Sequence, residues 1–211
     1  NQAGKAGDQV VDYAAGATSL EVATGPTSTI ALAANGAKGE LVQATGNLNL
    51  DVFGFFQVGG EFAIEASTKQ VTLSDRSTVD VDLLTIGASH VNAFAGLNGG
   101  TANRMGLALG DVEFGLALMS EQLPLNSTAT ARSWTSLQAT AGSAAIVGAG
   151  DLVIQASNIS VAINQASTLN GAVVDYAANA TDLEVATGIT DTITLDMKGA
   201  AGEQLQAAAH I

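Results

Sequence analysis

The chain has 211 residues, 47% of them hydrophobic, with 24 Gly, two Pro, nine aromatics and no Cys, and it carries a net charge of −13 from twenty acidic and seven basic side chains. The charge argues against nucleic acid and anionic lipid, which are bound by neutralising phosphates, and the lack of Cys removes disulfides, thiolate metal sites and Cys nucleophiles together. The apolar content excludes a disordered polar chain, and no apolar run is long enough to cross a bilayer as a helix.

In chain order, Leu20 to Val22 and Thr29 to Leu32 read as two short strands, and Asn35 to Ala44 is the place for a short helix or a loop. From Leu48 to Ile64 the even positions are mostly apolar and the odd ones mostly polar, which predicts one half-buried strand, bent or broken at Gly54 and at Gly59-Gly60. Val71 to Leu73 and Val79 to Leu83 flank Ser74 to Thr78 as a hairpin with a five-residue loop. His90 to Leu97 and Met105 to Met119 form a second pair around Asn98 to Thr101. Trp134 to Val147 and Leu152 to Ile163 form a third around Gly148 to Asp151. Leu183 to Val185 and Thr192 to Leu195 are short strands again, and Lys198 to Ala209 is a second candidate for a short helix or a loop. β-Branched residues and Gly throughout the periodic segments favour strand over helix, and short connections favour antiparallel neighbours. The expected fold is all-β, a mostly antiparallel meander in an elongated tandem-repeat rod, with discrete β-sandwich modules in tandem as the alternative.

The chain also repeats itself. Val10-Val-Asp-Tyr-Ala-Ala recurs from Val173, and Leu20-Glu-Val-Ala-Thr-Gly recurs from Leu183, at an offset of 163 residues. Residues 1–44 share 27 identities with residues 164–207, which defines a full unit at 1–163 and the start of a second at 164–211. The second copy ends at His210-Ile211, level with Asn47-Leu48 where a long strand pattern begins, so the expectation is a stretch of a longer array whose export signals lie elsewhere.

Materials for catalysis are sparse. His90 and His210 are the only imidazoles, and His210 is replaced by Asn47 in the other copy. His90 alternates with apolar neighbours and reads as a surface or hydrogen-bonded strand residue. There is no nucleophile elbow, phosphate loop or His-Glu-x-x-His zinc motif. The expectation is no enzyme, with no catalytic, cofactor-binding or metal-ligating residue. Calcium is the one cation with oxygen donors in reach, through Asp80 and Asp82 on one strand face and Asp75 in the adjoining loop, though the solvent-facing side of a half-exposed strand explains them better. Asp12, Glu21 and Glu40 return as Asp175, Glu184 and Glu203. Tyr13 and Tyr176 also correspond, and read as packing residues with hydroxyls at the surface or as part of a seam between units. Asn126, Asn158 and Asn179 lie in glycosylation sequons.

The Val-Val-Asp-Tyr-Ala phrase, Leu-Glu-Val-Ala-Thr-Gly, Gly46 to Leu50 leading into Phe55 to Phe62, and Arg132 to Thr140 resemble the repeats of giant, acidic, Cys-free bacterial surface or secreted proteins of the adhesin kind. The resemblance implies an extracellular or cell-surface location and a structural role, as the spacer or stalk of an adhesin or as a filament subunit. Its partners would be neighbouring repeat units of the same or identical chains, with self-assembly into filaments, no nucleic acid and no membrane insertion. The alternative is a β-groove for lipid or another hydrophobic ligand, along Leu48 to Ile64 and Met105 to Met119.

Overall fold

A computed structural model describes residues 1–3, 9–14, 20–150, 152–176, 181 and 183–211. The fold is all-β. Seven strands form one open antiparallel sheet: β3 (Leu41–Val52), β4 (Phe56–Thr72), β5 (Thr78–Leu97), β6 (Met105–Glu121), β7 (Ser133–Val147), β8 (Ile154–Ala166) and β11 (Gln204–His210). Each of β3 to β8 pairs with its neighbours in sequence, a meander, and β11 joins at β8. Two short hairpins stand apart from it, β1 (Glu21–Ala23) with β2 (Thr29–Ala31), and β9 (Leu183–Ala186) with β10 (Thr192–Leu195).

The run from Leu48 to Ile64 is broken at Gly54 into two strands that pair with each other, and it continues through Gly59-Gly60 with only a register shift. Phe53 and Gly54 take left-handed backbone conformations (φ 51° and 70°), and Asp51 Oδ1 accepts from the Gly54 N–H at 2.7 Å, closing a tight reversal. Each candidate helix is a single 3₁₀ turn, at Gly36–Lys38 and Gly199–Ala201, stopped by Gly39 and Gly202 at φ 71° and 70°. Beyond each turn the chain enters β3 or β11, because ladder pairing satisfies the backbone along its whole length.

A transverse line of irregularities crosses the ladder, where His90, Asp111 and Asn158 are left-handed and Gly60 is skipped in the pairing of β4 with β5. Asn, Asp and His tolerate that conformation better than most residues. Below this line both faces carry apolar residues, with Thr68, Gln70, Asp80 and Asp82 exposed at the end of the outer one. One face, with Val71, Val81, Leu83, Ala117, Met119 and Trp134, is the core, sealed by β9, β10 and the segment before them. The other carries a cross-strand row, Ala44, Ile64, Ile86, Leu116, Leu137, Ile163 and Leu205, over which no described strand packs.

Candidate functional site

The chemistry of this molecule lies in how residues 164–211 sit on the sheet. We call this segment the second arm, and residues 1–48 the first arm. The second arm seats by backbone pairing at its start. Ser74 N–H donates to Val173 O and Asp175 N–H to Thr72 O, both at 2.8 Å, and Leu73 bridges Val174. Trp134 Nε1–H donates to Ala172 O at 2.8 Å, and within the arm, where it leaves β8, the buried Asn164 amide donates to Val174 O at 2.8 Å. The Thr72 N–H donates to Thr181 Oγ1 at 2.7 Å. Every one of these bonds uses backbone on at least one side, so seating depends on chain path more than on side-chain identity.

The hairpin of β9 and β10 then lies on a shallow bed. Gly87 and Gly115 are cross-strand partners on β5 and β6. A Cβ on Gly87 would run into the Ala186 carbonyl, and one on Gly115 would meet Ile193 and Val185. The lack of side chains on these two residues is what lets the hairpin approach so closely. Leu183, Val185, Leu195, Val174, Tyr176 and Met197 are buried here with the core residues of the sheet. Full burial of such a side chain contributes about 1.5–3 kcal/mol. At the far end β11 pairs with β8 from Gln204↔Asn164 to Ala208↔Ser160, extending the sheet by one strand.

The first arm repeats this construction without a sheet beneath it. In register β1 and β2 match β9 and β10, with Val22↔Ile30 standing for Val185↔Ile193. Asp12 Oδ1 accepts from Gly36 N–H at 3.1 Å, as Asp175 Oδ1 does from Gly199 N–H at 2.9 Å. Tyr13 N–H donates to Ala34 O at 3.0 Å, as Tyr176 N–H does to Met197 O at 3.2 Å. The Asn1 amide reaches Val11 O at 2.9 Å, as Asn164 reaches Val174 O. Glu40 and Glu203 accept from Ala3 and Ala166 N–H. The exposures differ completely: Val11, Val22 and Leu32 are 47%, 42% and 37% exposed, whereas Val174, Val185 and Leu195 are at 0%, 0% and 1%. Among the described residues no strand lies beside the edge of β3 that faces away from β4, where Leu41 bonds to Asn1.

The acids have local roles. Asp80 and Asp82 accept from Gln70 at 3.1 Å and Gln122 at 2.7 Å. Asp75 accepts from the Ser77 hydroxyl and N–H, at 2.6 and 2.9 Å, and these bonds hold its carboxyl below the usual range. Among the described residues no three His, Asp or Glu side chains are placed to share a metal ion. Asp12, Asp175, Glu40 and Glu203 tie their arms together internally. His90 is exposed on the sheet with Nδ1 3.7 Å from Asp191 Oδ2 of the second arm. Tyr176 is buried against the sheet, not surface-tipped, and burial pushes its phenol pKa up. Of the sequons, Asn126 and Asn158 are exposed and Asn179 lies outside the described residues.

The residues missed at sequence level are the bed itself, Gly87, Gly115 and Trp134. Gly87 and Gly115 come from different strands, so only the register brings them together. Three comparisons put nothing beside this geometry: no protein-family model, curated protein or solved structure matches the chain.

Proposed function

We propose that this chain is a structural repeat of a long extracellular array, a spacer or stalk that holds an adhesive tip away from a cell surface, or the subunit of a filament. The observation that carries the reading is the seating of the second arm: β11 is the second copy of β3, and it prolongs the sheet at β8 while its hairpin covers the core face. A unit that begins by closing the unit before it produces an endless sheet whose open edge is always covered by the next copy. The high negative charge keeps neighbouring rods apart and soluble. No catalytic step is part of this role.

One unit contributes six strands, β3 to β8. At roughly 4.8 Å between strands, each added unit lengthens the rod by about 29 Å. The row that starts at Ala44 ends at Leu205, whose counterpart is Val42, so the register advances by two residues per unit. Negative-stain electron microscopy of chains with two, four and six consecutive units tests this directly. The expected images are smooth rods growing by that increment; separate globules joined by bends overturn the continuous sheet.

The uncovered apolar row favours a second reading, a surface for lipid or another hydrophobic ligand. A shallow hollow of about 600 Å³ lies on that side, lined by Ala66, Leu84, Leu118 and Thr135 among others. Mass spectrometry of the natively purified chain decides it: a co-purifying lipid supports the groove, and a lipid-free chain counts against it.

A further inference from the structure

We propose that the first arm, residues 1–48, is an interaction surface for a second copy of this chain, docking on that copy's sheet in the place its second arm now holds. The proposal rests on the array reading above and names the contact by which separate chains would join. Its basis is that the molecule contains both the free and the seated form of one element. The two arms share 27 of 44 aligned residues, the same hairpin register, the same aspartate-capped 3₁₀ turn and the same glutamate bond to the strand start. In its described residues the free arm already has the hairpin pairing and 3₁₀ turn of the seated one, which lowers the ordering cost of docking.

The surfaces also fit in detail. Val10, Val11, Tyr13, Leu20, Val22, Ile30 and Leu32 match Val173, Val174, Tyr176, Leu183, Val185, Ile193 and Leu195, and the one reduction in the buried set is Ala34 for Met197. The seated arm bonds to the sheet through the backbone of Ala172 to Asp175 and of Thr187, groups that the first arm presents at 9–12 and at Thr24. After docking, β3 would take the position of β11 beside β8, and the edge of β3 that faces away from β4 would be covered.

In the intact chain the acceptor is occupied by the second arm, which is tethered at high effective concentration, so the chain is expected to be a monomer at micromolar concentration. Releasing that arm frees the acceptor for another chain. Val185→Asp places a carboxylate against Gly115 and does so in the whole 211-residue chain. Light scattering should then show a weight-average mass that rises at least about two-fold with concentration, since heterologous contacts propagate. Adding Val22→Asp to the same chain should return it to the monomer mass. Two results overturn the proposal: a Val185→Asp chain that keeps its strand signal by circular dichroism yet stays monomeric, or oligomers that survive Val22→Asp. The underlying reading fails separately, if Val185→Asp leaves the unfolding midpoint of the chain unchanged, because the seated arm would then contribute nothing.

Should Val185→Asp prevent folding, a milder pair serves. Leu73 bridges Val174, so the first arm's Val11 would face Leu73 of another copy. The natural chain has no Cys, so Val11→Cys with Leu73→Cys reports that contact alone. Oxidation after gentle warming should give a ladder of disulfide-linked multiples on a non-reducing gel. A single monomer band overturns the proposal.

Discussion

The hairpins β1–β2 and β9–β10 carry the same phrase, in the same register, closed by the same hydrogen bonds, yet one faces solvent and the other is sealed against a sheet. The difference separates two things that are usually entangled in a β-protein. The path of the arm is set locally, by Asp12 or Asp175 on the 3₁₀ turn and by Glu40 or Glu203 at the strand start. Its apolar face does nothing for that path; it contributes only once a sheet lies beneath it. An isolated two-stranded hairpin is marginal in water, so the seated arm is where stabilisation is expected to concentrate.

The sharpest way to break the comparison is to make the same substitution twice. Leu195→Ala empties a site that is 1% exposed and packed in the core, and should cost about 2–5 kcal/mol. Leu32→Ala alters the equivalent side chain of the free arm and should stay within about 0.5 kcal/mol. Urea unfolding followed by circular dichroism measures both. Equal losses would mean that the first arm is covered in solution, and would turn attention to self-association.

A smaller effect comes from the seat itself. Trp134→Phe keeps the ring but removes the N–H that donates to Ala172 O, and should cost about 1–2 kcal/mol. The loss should appear as weaker amide-exchange protection at Ser74 and Asp175, whose N–H groups pair across that seam, with β3 to β5 unchanged. If protection falls evenly over the sheet, Trp134 is a general core residue and not an anchor for the arm.

The other bond near Trp134 has a pH dependence. Glu121 and Arg132 form a two-point fork, Nε to Oε2 at 2.9 Å and Nη2 to Oε1 at 2.7 Å, at the end of β6 and just before β7, and Arg132 lies over the Trp134 ring. The guanidinium bond holds the Glu121 carboxyl below the usual glutamate range. A lowered folded-state pKa makes the contribution complete above the ordinary glutamate value and removes it as pH falls through the lowered one. Arg132 N–H, which donates to Glu121 Oε2, should therefore keep its protection from pH 7 down through the ordinary glutamate range and lose it as pH falls below that range. Glu121→Gln should give the low-pH behaviour already at pH 7.

Much of this fold was legible in the sequence, for reasons visible in particular residues. The loops at Ser74 to Thr78, Asn98 to Thr101 and Gly148 to Asp151 lie between strong strand patterns, and each falls at a reversal of the meander. A break at Gly54 was legible from the glycine, but not that it is a full reversal, because alternation passes through it in phase, with Leu50 and Val58 registered together across the two strands. The clue was Asp51 three residues before Gly54, an acceptor placed to close the turn. The seating of the arm was not legible. Alternation at Val79, Val81 and Leu83 against Asp80 and Asp82 marks the face that is buried, but not what covers it, and the Gly87–Gly115 bed exists only once β5 and β6 are in register. Tyr176 shows the same limit, since its twin Tyr13 is only half-buried.

The smallest expected effect concerns a contact that only the seated arm has. Asp191 is 3.7 Å from His90, and its counterpart in the first arm is Ser28. The side chains are 70% and 41% exposed, and the pair attracts only when the imidazole is protonated. Screened by solvent, such a contact contributes little against the apolar burial around Val185. Asp191→Ser, which copies the first arm, should leave the unfolding free energy at pH 7 within about 0.5 kcal/mol. If the loss instead approached that of Leu195→Ala, the seated arm would be held by a charge that the first arm lacks, and the likeness between the two arms would no longer imply that both can dock.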